Sequence, residues 1–142
     1  MYERLMLLVL LTSFLLAGCA YAPGESGGAS GLLPSVQARA ADGVVEFTLQ
    51  VTNAGDAPVE LEFASGQRYD FRVLAGTREV WRWSADQMFT QALGSETIPA
   101  AGTVAYTETW RPDPGLTGEF VVVGTLTARR GGVEQSARFR LP

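Results

Sequence analysis

Few side chains in this sequence could do chemistry. There is no His and no Lys, and all 11 positive side chains are Arg. Without imidazole there is no His general base and no His-ligated metal. Ser84 follows Trp83 but has neither a His nor a Lys to activate it. Asp56, Asp86 and Asp113 are scattered and lack the spacing of a calcium loop. Glu60 and Glu62 share one face of an alternating segment, where two carboxylates are far more often a solvated surface than an acid–base couple. The expectation is a chain with no catalytic residues, no metal site and no cofactor, and so not an enzyme.

One nucleophile remains, the thiol of Cys19, the sole cysteine. It directly follows an apolar run, Leu5 to Leu16, preceded by Arg4 and too short to span a bilayer comfortably. Leu16-Ala17-Gly18-Cys19 resembles the bacterial lipobox, in which the thiol takes a diacylglycerol and a peptidase then cuts before the Cys. Small residues at Ala17 and Gly18 let the backbone enter the peptidase. The other reading is an ordinary secretory signal with an incidental or buried thiol, and it leaves the four-residue motif unexplained. The lipobox predicts a signal peptide over 1–18 and a mature protein with no free thiol and no disulfide. Acyl chains such as palmitate would hold it to a membrane of the cell envelope, facing an extracytoplasmic space. Ala20 carries no inner-membrane retention signal, which points to the outer membrane where a host has one. Residues 19–31, the lipidated Cys and a Gly/Ser/Ala-rich stretch, read as a flexible tether.

The remainder, 32–142, must position whatever the chain presents. At 142 residues and 46% hydrophobic the sequence suits one domain with a real core. A net charge of −4 argues against nucleic acid as a partner, because phosphate binding needs a concentrated basic surface. The organising stretch is Ala64 to Phe89, two extended segments across a Gly-containing turn, with aromatics at Tyr69, Phe71, Trp81, Trp83 and Phe89. Around it, Val44 to Asn53 alternates cleanly between apolar and polar residues, as a strand with one buried face does. Similar strands are expected over Leu32 to Ala40, Val59 to Phe63, Tyr69 to Val73, Glu79 to Ser84, Thr103 to Trp110, Glu119 to Ala128 and Val133 to Leu141. Asp86 to Leu93 has helical spacing, one or two turns capped by Ser84 and ended by Gly94. Eight short strands separated by turn residues predict an all-β fold, an antiparallel immunoglobulin-like β-sandwich, with a small closed barrel as the alternative.

A family resemblance runs through Pro58-Val59-Glu60-Leu61-Glu62-Phe63, Ser65-Gly66-Gln67-Arg68-Tyr69-Asp70-Phe71 and Glu79-Val80-Trp81-Arg82-Trp83-Ser84. It takes in Asn53, Phe89, Gln91-Ala92-Leu93, a Pro99/Gly102 turn and Trp110. These segments resemble the BsuPI-like domains, named after an intracellular proteinase inhibitor. The resemblance implies an immunoglobulin-like sandwich and a role in inhibiting proteinases, although the lipobox places this chain outside the cytoplasm. The partner expected is therefore another protein, with a proteinase as the candidate. The alternative is a non-inhibitory structural or adaptor lipoprotein of the envelope.

A tight inhibitor presents a rigid extended loop to its proteinase. Two connections are stiffened by proline, Asp56-Ala57-Pro58 and Pro112-Asp113-Pro114-Gly115, and both are candidates for partner binding. Ser65-Gly66-Gln67 is a third candidate, though such a turn more often needs its Gly for backbone conformation. Trp81 and Trp83 could form a ligand platform, but alternating aromatics on one face are what a sandwich usually buries.

Overall fold

Alternation in β2 (Val44–Asn53) sets the architecture: Val45, Phe47, Leu49 and Val51 are buried, while Glu46 and Gln50 are exposed. In the computed structural model, which describes residues 31–142, nine antiparallel strands surround this buried face. The expected signal peptide, Cys19 and most of the tether lie outside the described residues.

β2 is flanked by β1 (Leu32–Ala41) and β7 (Thr103–Trp110), forming one sheet of order β1-β2-β7. Four more strands, β4 (Tyr69–Ala75), β5 (Arg78–Arg82), β8 (Gly118–Leu126) and β9 (Val133–Leu141), form a second sheet of order β5-β4-β8-β9. Aromatic rings join the layers. Phe47 stacks on Phe71 at 5.9 Å and meets Phe139 edge-on at 5.5 Å, while Trp110 meets Phe120 edge-on at 6.3 Å. Close approach is needed where β8 crosses the first sheet. A Cβ on Gly124 would lie 2.7 Å from Val36 Cγ2 and 3.4 Å from Leu49 Cβ. Each large side chain fully buried here contributes roughly 1.5–3 kcal/mol relative to exposure. This is the antiparallel sandwich the turn spacing predicts.

A two-stranded ribbon, β3 (Val59–Phe63) with β6 (Gly94–Ile98), connects the sheets. One end is tied to the second sheet, where Arg129 N donates to Glu62 O at 2.8 Å. The other is tied to β2 through Asn53, whose side chain is wholly buried. Its Nδ2 lies 2.8 Å from Ala57 O, 3.1 Å from Ile98 O and 3.2 Å from Pro99 O, so two N–H bonds serve three carbonyls. Its Oδ1 accepts from Gly55 N at 3.0 Å, and its own backbone N–H donates to Gly102 O at 2.9 Å.

Two local expectations are corrected. There are nine strands rather than eight, because Gly94–Ile98 pairs along the whole of β3. Its only large apolar residue is Ile98, so it has no alternation to read; it is a strand because β3 needs a partner for its backbone. The short helix expected over Asp86 to Leu93 is absent. A single 3-10 turn occupies Trp83–Asp86 instead, and Ser84 lies inside it rather than capping a helix. Met88 and Leu93 point to solvent, so the helical spacing had no surface to pack against.

Asn53 therefore holds two connections, the first sheet and the ribbon at one point. Asn53→Ala is expected to lower stability by about 2–3 kcal/mol, since several carbonyls lose a donor. Asn53→Asp should cost more, because a carboxylate would face those same carbonyls. Urea unfolding of both variants against the parent measures the difference; equal stability of all three would remove Asn53 from this role.

Candidate functional site

On β4, Asp70 sits between two core aromatics yet faces away from them. It is 6% exposed, and four donors reach it. Oδ1 accepts from Phe71 N at 2.9 Å and Ser84 N at 3.1 Å, and Oδ2 accepts from Ser84 Oγ at 2.7 Å and Arg82 Nη1 at 2.9 Å. By capturing Ser84 the carboxylate draws the chain out of β5 and into the 3-10 turn. Arg82 also forks onto both oxygens of Glu79, at 2.9 and 2.7 Å. That hydrogen-bonded pair lowers the Glu79 carboxyl and raises the Arg82 guanidinium relative to their ordinary values. Asp70 pairs with Arg82, while Arg72 sits 3.5 Å from Glu134.

The captured turn delivers Trp83 onto an aromatic ladder. Tyr106 stacks on Tyr69 at 4.4 Å, Tyr69 on Trp83 at 4.6 Å, and Phe89 leans on Trp83 at 5.7 Å. All four rings are half-buried. Trp81 takes the other role, packing into the core on Phe47 and Trp110, each at 5.8 Å. The Tyr69 hydroxyl donates to Glu108 at 2.5 Å. Burial first and that carboxylate second push the Tyr69 phenol well above its usual value; burial, then Glu96, raises Tyr106 as well.

Beside the ladder, Ser65, Gly66 and Gln67 form a tight turn. Ser65 Oγ accepts from Gln67 N at 3.2 Å, and Gln67 O accepts from Thr127 Oγ1 at 2.9 Å. Arg68 lies over the Phe63 ring at 4.3 Å and pairs with Glu96 at 2.6 Å. Gly66 N donates to Thr90 O at 2.8 Å, which pins the connection Gln87–Leu93 to this turn. Gly66 is required for space rather than for an unusual backbone angle. A Cβ there would stand 2.6 Å from Thr90 Oγ1, and its φ is not among the positive ones.

The other candidates stand elsewhere. Asp56, Ala57 and Pro58 follow Asn53 at one end of β2. Pro112, Asp113, Pro114 and Gly115 follow Trp110, which pairs with Val45 at the other end. The length of β2 separates them, about 30 Å at the usual rise per residue. Pro112, Asp113 and Pro114 line a cleft of about 670 Å³ with Asp42, Val45 and Leu141. One compact partner cleft can engage either proline-bearing connection but not both. Among the described residues no group of three or more His, Cys, Asp and Glu is placed to hold a metal, and no helix is long and apolar enough to cross a membrane.

Sequence reasoning missed the Gln87–Leu93 connection as a surface element, and with it Tyr106 and Glu108. A signal for Asn53 was present: it occupies the inward parity of Val45, Phe47, Leu49 and Val51. No such signal marked Tyr106, whose partner Tyr69 is distant in sequence.

Two raised phenols give the domain an alkaline signature. An unfolded tyrosine ionises near pH 10. A native phenol held above that value adds stability that is complete below about pH 10 and is lost as pH rises beyond it. Stability should therefore fall above about pH 10, with phenolate absorbance from residues 31–142 appearing only with unfolding. Tyr69→Phe should cost about 1–2 kcal/mol at neutral pH, through the lost bond to Glu108, and should blunt the alkaline decline. Ordinary phenol titration in the folded state would contradict this.

The comparisons with known proteins come down to one family and several distant structures. No curated protein matches the chain. Among solved structures it is similar to a β-glucosidase, EmGH1, from Erythrobacter marinus, with 14% identity and a TM-score of 0.44, over 78% of this chain and 15% of that one. It is similar to the sporulation control protein Spo0M of Bacillus subtilis, with 17% identity and a TM-score of 0.44, over 78% of this chain and 48% of that one. It is also similar to the GAE domain of GGA2p from Saccharomyces cerevisiae, with 16% identity and a TM-score of 0.30, over 82% of this chain and 94% of that one. The chain thus spans less than half the length of the first two. A family model described as BsuPI, intracellular proteinase inhibitor, matches residues 32–131, from the first residue of β1 to the turn before β9. With that match covering most of the sequence, the chain belongs to the BsuPI family of intracellular proteinase inhibitors.

Proposed function

We propose that this protein is a lipid-anchored, extracytoplasmic protein-binding module that inhibits a proteinase and catalyses nothing itself. The observation that carries it is the BsuPI match, which runs through eight of the nine strands. The geometry supports a binding role. A sandwich braced by aromatic stacking, by Asn53 and by Asp70 holds its connections in fixed positions, so little conformational entropy is lost on docking.

The family is named for an intracellular inhibitor, whereas Leu16-Ala17-Gly18-Cys19 argues for export and acylation of this member. Leu32 lies opposite Asn53 in the β1–β2 register. A tether through residues 19–31 would therefore join the sandwich at its Asn53 end, leaving the Pro112–Gly115 end farther from the membrane. The proteinase would be one that works outside the cytoplasm.

Two measurements test this. Cys19→Ser should abolish incorporation of labelled palmitate and release the protein from the membrane fraction; retention of both would remove the lipid anchor. The full chain, titrated against serine, cysteine and metalloproteinases, should inhibit one class stoichiometrically and remain uncut by intact mass. Inhibition of none, with a stable crosslinked envelope partner, would favour the structural or adaptor role instead.

A further inference from the structure

Three large hydrophobic side chains are strongly exposed among the described residues: Met88 at 99%, Leu93 at 71% and Leu33 at 60%. Two of them, Met88 and Leu93, lie five residues apart on the same connection, Gln87–Leu93. A lone exposed methionine is unremarkable on any surface. Its setting here is not ordinary, because the chain on both sides of it is held.

Upstream, Gln87 has extended dihedrals, φ −108° and ψ 152°, and its N–H donates to Ser84 O at 3.2 Å. Ser84 is itself held by Asp70 through two hydrogen bonds. Downstream, Phe89 leans on Trp83 at 5.7 Å, and Thr90 O accepts from Gly66 N at 2.8 Å. Gly94 then enters β6 opposite Phe63. Met88 is thus a free side chain that directly follows an extended residue, on a segment held on both sides, with its neighbour Phe89 half-buried against Trp83. An extended segment can pair through its backbone with the walls of a cleft while alternate side chains fill pockets. Because the segment is already ordered, docking it costs less than ordering a loose loop.

We propose that Gln87–Leu93 is the segment that enters the proteinase's substrate cleft, with Met88 seated in its specificity pocket. This rests on the proteinase-binding function proposed above. The chemistry states the kind of proteinase. The side chain is unbranched, apolar and long, suited to a deep apolar pocket. No Arg or Lys lies between Trp83 and Ile98, so the segment offers no basic side chain to an acidic pocket that selects one. The proline-bearing connections compete poorly for this role. Pro112–Pro114 form the wall of a concavity instead of a projection, and Asp56–Pro58 carries no large apolar side chain.

The test uses the full chain, in detergent, with the proteinase that the parent protein inhibits. Met88→Asp should weaken inhibition by about 30-fold or more, the loss expected of a central anchor. Met88→Arg should do the same and should create inhibition of a proteinase that cleaves after basic residues. Leu33→Asp, a charge placed on the exposed apolar side chain outside the segment, should leave inhibition unchanged. All three variants should melt within about 2 °C of the parent, since surface substitutions of this kind change stability by under about 0.5 kcal/mol. If the parent inhibits and Met88→Asp inhibits equally well, the segment is not the docking element and the proteinase-binding function stands. If the parent inhibits no proteinase, that function fails and this assignment falls with it.

Discussion

The Asp70 carboxylate is almost out of water and has four donors around it. A charge so placed is tolerated only when it is fully hydrogen-bonded, and the cost of leaving it unpaired dictates what its neighbours do. Ser84 must present both its N–H and its hydroxyl, so the chain cannot continue as β5 and instead turns. That turn sets Trp83 on Tyr69, and Trp83 in turn supports Phe89. The course of the chain through Gln87–Leu93 follows from a carboxylate more than ten residues upstream.

The sandwich beneath is conventional in its energetics. Phe47 lies at the centre, in contact with Phe71, Trp81, Trp110 and Phe139, and the alternating residues of β2, β4 and β8 complete the core. Hydrophobic burial of this kind is non-directional and would tolerate several arrangements of the side connections. Direction comes from the buried polar groups. Asn53 at one end and Asp70 at the side each impose one geometry, which is how a small β domain acquires fixed loops. No buried side-chain polar atom among the described residues lacks a partner, so the two networks are closed.

The core supplies stability, and the two polar networks determine which parts of the surface are rigid. The half-buried ladder of Tyr106, Tyr69, Trp83 and Phe89 is a transition between them. Its inner members pack on the core, and its outer member fixes a connection whose other side chains face water. Rigid projections on an inert scaffold suit recognition, and they suit it whichever protein is recognised.

The sequence by itself determined eight of the nine strands and the family. Period-two alternation marked β2, β3, β4 and β9, because a half-buried strand must alternate whatever else surrounds it. The Ser-Gly-Gln and Val-Trp-Arg-Trp-Ser runs carried the resemblance that the family match then showed. Asp70 has Arg72 two residues along its own strand and Arg82 on the neighbouring one, and the tertiary arrangement pairs it with Arg82. β6 was invisible because its polar residues alternate with nothing. It is a strand only by virtue of its partner β3, and pairing partners are a tertiary fact. The helix expected over Asp86 to Leu93 failed for the matching reason: helical spacing needs an apolar surface to dock on, and the fold provided one for Phe89 alone. The separation of the two proline-bearing connections to opposite ends of β2, and the junction of the Ser65–Gln67 turn with Thr90, likewise rest on contacts between residues far apart in the chain. Local sequence encodes what each segment prefers; the three-dimensional packing decided which segments meet, because that depends on all of their preferences at once.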